Sequence, residues 1–169
     1  MSQWLLDYDI RLTARLRIAE KPGLLRSLAS ILAHSGDSWF WLLGFGLLWV
    51  LGPPAWRPVI QSLVLAVLLT ALLVLIIKFS VRRQRPEGSW GSIYRNTDPH
   101  SFPSGHAVRA SMLAVLSTAL LPPWFAAILM AWAPLVALAR VAMGVHYLSD
   151  VLAGIALGLL LGIGFTWLY

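Results

Sequence analysis

The sequence predicts an all-α integral membrane helical bundle, with about five transmembrane helices and an N-terminal amphipathic, interfacial helical region. Three observations predict it. Only 12% of the 169 residues are charged, 59% are hydrophobic and the mean hydropathy is +0.75. An ordinary soluble domain carries roughly 25% charged residues, so this chain lacks the charge to cover a water-facing surface and a bilayer is its expected solvent. The basic excess, net +6 with a pI near 10.5, is interrupted by long apolar runs and forms no continuous face of the kind that tracks nucleic-acid phosphates, so no nucleic acid is expected as a partner. The chain also has no cysteine, which excludes a disulfide framework, a thiolate metal site and a cysteine nucleophile together.

The first twenty residues do not span a membrane, because Asp7, Asp9, Arg11, Arg15 and Arg17 interrupt them. Trp4, Leu5, Tyr8, Leu12, Leu16 and Ile18 fall near helical spacing, which predicts an amphipathic helix in the interface. The acids sit where a signal peptide needs its apolar core, so no signal peptide is expected. After a break at Lys21-Pro22-Gly23, the semi-polar stretch through Arg26 and His34 predicts a second interfacial or half-buried helix.

Five spanning segments follow at the length needed to cross hydrocarbon, about 20 mostly apolar residues. The first, Ser38 to Leu51, is short, is expected to borrow the preceding stretch to complete its length, and ends at Gly52-Pro53-Pro54. The second, Pro58 to Val81, is uncharged until Lys78, and a polar loop from Arg82 to Pro103 follows it. The third runs from Ser104 to Leu121 and turns at Pro122-Pro123. The fourth covers Trp124 to Met143 with an expected kink at Pro134, tolerated where neighbouring helices satisfy the freed carbonyl. The fifth runs from Ser149 to Tyr169, and Gly154, Gly158 and Gly162 give it one face of small residues for close helix packing. No internal repeat divides the chain, so one domain over 1–169 is expected, with interfacial helices in 1–37 and a catalytic bundle in 38–169.

If each span crosses once, the N-terminal helices, the 82–103 loop and the 144–149 turn share one face. Nearly every charge falls there, and Arg57 is the basic residue assigned to the other. Three polar groups converge on the charged face: Lys78 with Arg85 and Pro86; Pro103-Ser104-Gly105-His106; and Arg140 with His146 and Asp150. Ionisable residues at membrane depth are costly and point to function. Singly, each has a plain alternative, since lysine and arginine snorkel, Ser104 is an ordinary N-cap and Asp150 suits the start of a helix. Together, Lys78, Arg85 and Arg140 place three cations around one pocket, and two helix N-termini open onto it, an arrangement that fits phosphate. If the chain is helical from His146 to Asp150, the carboxylate can hold one imidazole nitrogen protonated and leave the other free to attack.

In order and spacing these groups closely resemble the three signature motifs of the type 2 phosphatidic acid phosphatase (PAP2) family, tightly over Lys78 to Asp150. The resemblance implies a small bacterial integral-membrane lipid phosphatase, independent of metal and cofactor, that works through a phosphohistidine. It implies His146 as nucleophile, Asp150 as the residue that orients it, His106 as proton donor, and Lys78, Arg85, Ser104, Gly105 and Arg140 as phosphate ligands. The chain departs from the family at Ala139, where a serine is usual, which removes a supporting hydrogen bond and no catalytic group. The implied partner is a phosphorylated membrane lipid: undecaprenyl pyrophosphate, phosphatidic acid or phosphatidylglycerol phosphate. The implied location is the cell membrane, multi-pass, with the site on the extracytoplasmic side, although the basic N-terminal residues oppose that orientation under the positive-inside rule. Vanadium haloperoxidases resemble the same pocket but are large soluble proteins. A lipid phosphotransferase would use the same residues, and a non-catalytic phospholipid-binding or transport protein would need the cations but neither histidine.

Overall fold

The computed structural model describes residues 3–88 and 90–168. Its helices are α1 (Gln3–Leu16), α2 (Leu24–Ser35), α3 (Ser38–Leu51), α4 (Arg57–Val81), α5 (Ser92–Thr97), α6 (Gly105–Leu120), α7 (Pro123–Ala142) and α8 (Leu148–Thr166), with a 3-10 turn at Pro54–Trp56 before α4. Among the described residues there is no strand, and the fold is the expected membrane helical bundle. Tyr169, the predicted end of the fifth span, lies outside the described residues, as do Met1 and Ser2.

Pro58 and Pro123 stand in the first turns of α4 and α7, where a missing N–H costs nothing. Arg82 ends α4 in the left-handed region at φ 54. Three stretches are long and apolar enough to cross a membrane unaided: Pro54–Val81, Pro123–Ala142 and Leu148–Thr166. Helix α3, with 14 residues, and α6, with 16, reach only about 21 and 24 Å at 1.5 Å per residue. The chain runs through Pro134 within one helix.

Helix α6 forms the centre of the bundle, packed against α8, α7 and α4, with ten of its sixteen residues buried. Its contact with α8 rests on the small residues there. A Cβ on Gly154 would meet the Ser104 carbonyl at 2.8 Å, and one on Gly158 or Gly162 would meet the Cβ of Ser111 or Val115 at 2.8 or 2.7 Å. On its other sides α6 packs Met112, Leu113 and Leu116 on α3 and α4, and Ala110 and Ala114 on α7. Large apolar side chains on α4, including Leu68, Leu72, Ile76 and Phe79, point outward, the reverse of a soluble protein and the arrangement lipid favours.

Helix α1 shows the same inversion. Trp4, Leu5 and Tyr8 are exposed while Asp9 and Thr13 are buried. Asp9 accepts from Ser149 N at 3.1 Å, and Thr13 Oγ1 accepts from Leu148 N at 3.0 Å, so the polar stripe of α1 satisfies the free N–H groups that begin α8. Ile18 N then donates to Ala142 O at 2.8 Å, fixing the chain at the same end. Helix α2 starts from there and runs along α7, where Ser35 Oγ accepts from Trp132 Nε1 at 2.9 Å, to end beside His106.

Candidate active site

The site lies where α4 ends and α6 and α8 begin. Lys78, in the last turn of α4, is 3% exposed. A snorkelling lysine would reach outward, whereas this one donates to the Asp98 carboxylate and, at 3.0 Å, to His100 O. The chain beyond α4 is then tied to its own return limb. A bridge pairs Gln84 with His100, and Ser101 N donates to Arg83 O at 2.8 Å. This pairing carries Arg85 inward, where Nη2 donates to Asp98 Oδ2 at 2.7 Å and Nε to Asp98 O at 2.6 Å. Asp98 thus holds both cations.

Ser104 is the N-cap of α6, but its Oγ makes no cap bond and is buried without a partner. Its N–H donates to Asp150 O at 3.0 Å, locking the start of α6 to the start of α8. Arg140 is 0% exposed at the end of α7. One of its nitrogens reaches Ala33 O at 3.4 Å, its guanidinium lies 4.6 Å from the Tyr94 ring centroid, and Nε and Nη2 have no partner. A fully buried guanidinium with two unused donors is expensive unless an anion meets it. Ala139 is buried among Ala29, Ala33 and Met143, so the position of the usual family serine is apolar here.

His146 sits in the connection before α8, which is not helical between Gly144 and Tyr147. The i, i+4 helical spacing considered for His146 and Asp150 is therefore replaced by a bend followed by a first turn. Asp150 Oδ2 lies 3.7 Å from His146 Nδ1, beyond hydrogen-bond reach, and Nδ1 has no hydrogen-bond partner. The same carboxylate accepts from Tyr147 N at 2.9 Å and from Arg83 Nη1 at 2.6 Å. On the other side of the ring, Arg85 Nη1 lies 3.1 Å from His146 Nε2. A guanidinium has no lone pair to offer, so Nε2 is the acceptor and carries one. Burial first, then the charges of Arg85, Arg140 and Lys78, push the His146 proton affinity well below the ordinary value. The ring is neutral, with its proton on Nδ1 toward Asp150 and its lone pair toward the cations.

Every predicted site residue therefore lies at one end of the bundle. His106 begins α6 with Nε2 2.6 Å from Asp37 Oδ1, and Gly105 passes close to α4, where a Cβ would meet Val74 Cγ1 at 3.3 Å. Lys78 and Arg85 share one carboxylate, Asp98, and the buried Arg140 adds a third cation, so this end of the bundle keeps a positive excess suited to a phosphoryl group. Sequence reasoning missed Asp98, Arg83, Asp9, Asp37 and Tyr94. Asp98 and Arg83 stand in the polar loop with no spacing to mark them, and Asp37 stands alone before Ser38 with no motif around it.

A cavity of about 210 Å³ opens from this end along α4. Its lining passes from Lys78, Asp98, Gly105, His106 and Arg109 to Thr70, Ala71, Val74 and Leu75, from charge to hydrocarbon.

The family model of the PAP2 superfamily matches residues 60–169. The decaprenylphosphoryl-5-phosphoribose phosphatase of Mycobacterium tuberculosis is 31% identical over 160 residues, covering 92% of this chain and 86% of that protein. The lipid A 1-phosphatase of Rhizobium etli is 27% identical over 163 residues, covering 83% and 69%. Among solved structures, the transmembrane PAP2-type phosphatidylglycerolphosphate phosphatase of Bacillus subtilis superposes with a TM-score of 0.79 at 25% identity, over 99% of this chain and 87% of that one. LpxE of Aquifex aeolicus gives 0.73 at 25% identity, over 95% and 94%. Sequence, fold and the gathering of the three motifs at one end of the bundle agree, and the chain belongs to the PAP2 superfamily as a membrane lipid phosphatase.

Proposed function

We propose that this phosphatase removes a terminal phosphate from a phosphomonoester or pyrophosphate lipid through a phosphohistidine on His146. The observation that carries this reading is the approach of Arg85 Nη1 to His146 Nε2 at 3.1 Å, which leaves the lone pair on Nε2, at the end of the bundle where buried donors of Arg140 and Ser104 have no partner. Lys78, Arg85, Arg140, Ser104 and the first N–H groups of α6 hold the phosphoryl oxygens, a role for positioned cations and donors that leaves no charge for a metal to neutralise. His146 Nε2 forms the N–P bond as the P–O bond to the lipid breaks. The departing oxygen takes a proton from His106. Asp150 offsets the positive charge that the phosphorylated imidazole gains. Water then attacks phosphorus with His106 accepting its proton, the N–P bond breaks, and phosphate leaves.

The cavity along α4 gives a lipid chain an apolar path to Lys78 and His106, so the substrate phosphate sits at the interface with its chain in the membrane. A polyprenyl-linked phosphate is the first to test, because the 31% identical relative is named for a decaprenyl substrate. Phosphatidylglycerol phosphate, phosphatidic acid and undecaprenyl pyrophosphate complete the panel. Phosphate release by the purified protein in detergent is expected from at least one of these lipids and unchanged by a chelator. With His146→Ala both turnover and acid-labile phosphate on the protein should disappear while lipid binding persists, and turnover that survives this substitution removes the phosphohistidine reading.

A further inference from the structure

Beyond the three motifs, one carboxylate touches a motif histidine. Asp37 closes the connection between α2 and α3, and its Oδ1 lies 2.6 Å from His106 Nε2. The other oxygen faces His34 Nδ1 at 3.3 Å, and that nitrogen meets the Tyr94 hydroxyl at 3.0 Å. The connection is built onto α6. Arg109, on α6 three residues after His106, donates to the Gly36 carbonyl. A Cβ on Gly36 would meet Val136 Cγ1 at 2.9 Å and His106 Cδ2 at 3.1 Å, so a side chain here would push the connection off the imidazole.

Burial raises the proton affinity of Asp37, but the hydrogen bonds and charges of His106 and His34 outweigh it and hold the carboxyl at about 2. An ionised carboxylate only accepts, so His106 gives its Nε2–H to Asp37 and has Nδ1 alone with which to protonate a departing oxygen. A ring that bonds Asp37 through Nε2–H while donating from Nδ1 carries two protons and a positive charge. Its surroundings resist that charge: Arg109 on α6, Arg140 on α7, Lys78 on α4 and the cation-flanked His146 all lie about it, with Tyr94 of α5 edge-on at 6.2 Å. Asp98, the carboxylate that lines the cavity beside His106, is occupied by Lys78 and Arg85.

Resting on the reading of His106 as proton donor, we propose that Asp37 is a positioning residue for the reaction. Its carboxylate fixes the His106 ring and supplies the counter-charge that lets Nδ1 protonate the leaving lipid oxygen, a second histidine–carboxylate pair beside His146 and Asp150.

The test compares kcat/KM of wild type, Asp37→Asn, Asp37→Glu and His106→Ala across pH, on a lipid phosphate and on p-nitrophenyl phosphate, whose phenolate leaves without a proton. For Asp37→Asn a loss of about 100-fold is expected on the lipid, against no more than about threefold on the aryl ester, which leaves without acid assistance. The alkaline limb of the lipid profile should move to lower pH by about one to two units, and Asp37→Glu should restore part of it. Equal losses on both substrates with an unmoved limb, or no loss, overturn the proposal. The limb alone decides if the aryl ester is not turned over. Unchanged lipid hydrolysis by His106→Ala would instead remove the proton-donor reading itself.

Discussion

Arg85 Nη1 stands 3.1 Å from His146 Nε2 and so assigns the lone pair of the ring. The folded chain keeps this buried histidine neutral at pH values where an unfolded one takes up a proton, near 6.5. The unfolded state binds more protons in that range, so the contribution is full above about 6.5 and is lost as pH falls below it, at up to about 1.4 kcal/mol per unit. Thermal melting in detergent at pH 7.5 and 5.5 should show a drop that His146→Gln reduces by about 1 kcal/mol. A pH dependence identical in both proteins contradicts the neutral assignment.

Asp98 holds Lys78 and Arg85 together. With Asp98→Ala the two cations lose their common anchor and repel, and misplacement by about 1 Å costs on the order of 100-fold. A fall of about 10- to 100-fold in kcat/KM is expected, with orthovanadate still binding because the three cations remain. Wild-type kinetics would show that Asp98 orients neither.

Arg83 joins α1 to α8, reaching Asp9 Oδ2 at 2.8 Å and Asp150 Oδ1 at 2.6 Å. Arg83→Ala leaves Asp150, which is 0% exposed, without the cation that donates to it, and breaking such a pair costs about 3–5 kcal/mol. Both melting temperature and activity should fall. Asp9→Asn keeps the side-chain shape but replaces one accepting oxygen with a donor, and should cost about 1–2 kcal/mol, retaining activity while limited proteolysis within α1 accelerates. Equal behaviour of the two variants would show that α1 docking and the support of Asp150 are one effect.

Two glycines of α8 separate packing from propensity. Gly158→Leu collides with Ser111 of α6 and should abolish activity by parting the helices that carry His106 and Asp150. Gly164, with nothing near its would-be Cβ, should accept alanine with a melting temperature unchanged or higher, by up to about 1 kcal/mol.

Side of the membrane is tested by single cysteines, since the chain has none of its own. With the site facing outward, as the resemblance implies, a cysteine at Arg95 labels from outside intact cells and one at Arg57 does not. The reverse pattern would follow the positive-inside rule, which gains weight here because the docking of α1 on the start of α8 keeps Arg11, Arg15 and Arg17 at the end that holds the site.

The sequence by itself determined the solvent, the helical bundle and the polar residues that gather at one end of it. Apolar run length reports directly on bilayer thickness, and Lys78, Arg85, Ser104, His106, Arg140, His146 and Asp150 stand at fixed distances along one chain. Tertiary structure decided the partners of those groups. Asp98 meets Lys78 and Arg85 through a folded loop, Asp9 meets Arg83 from 74 residues away, and Asp37 meets His106 from 69. Such pairs leave no periodicity in the sequence, because a carboxylate in a loop or at a helix start looks the same whether it faces water or a buried cation. Only the packing of α6 against α7 and α8 shows which of them had to be there to offset a charge that the membrane would not tolerate.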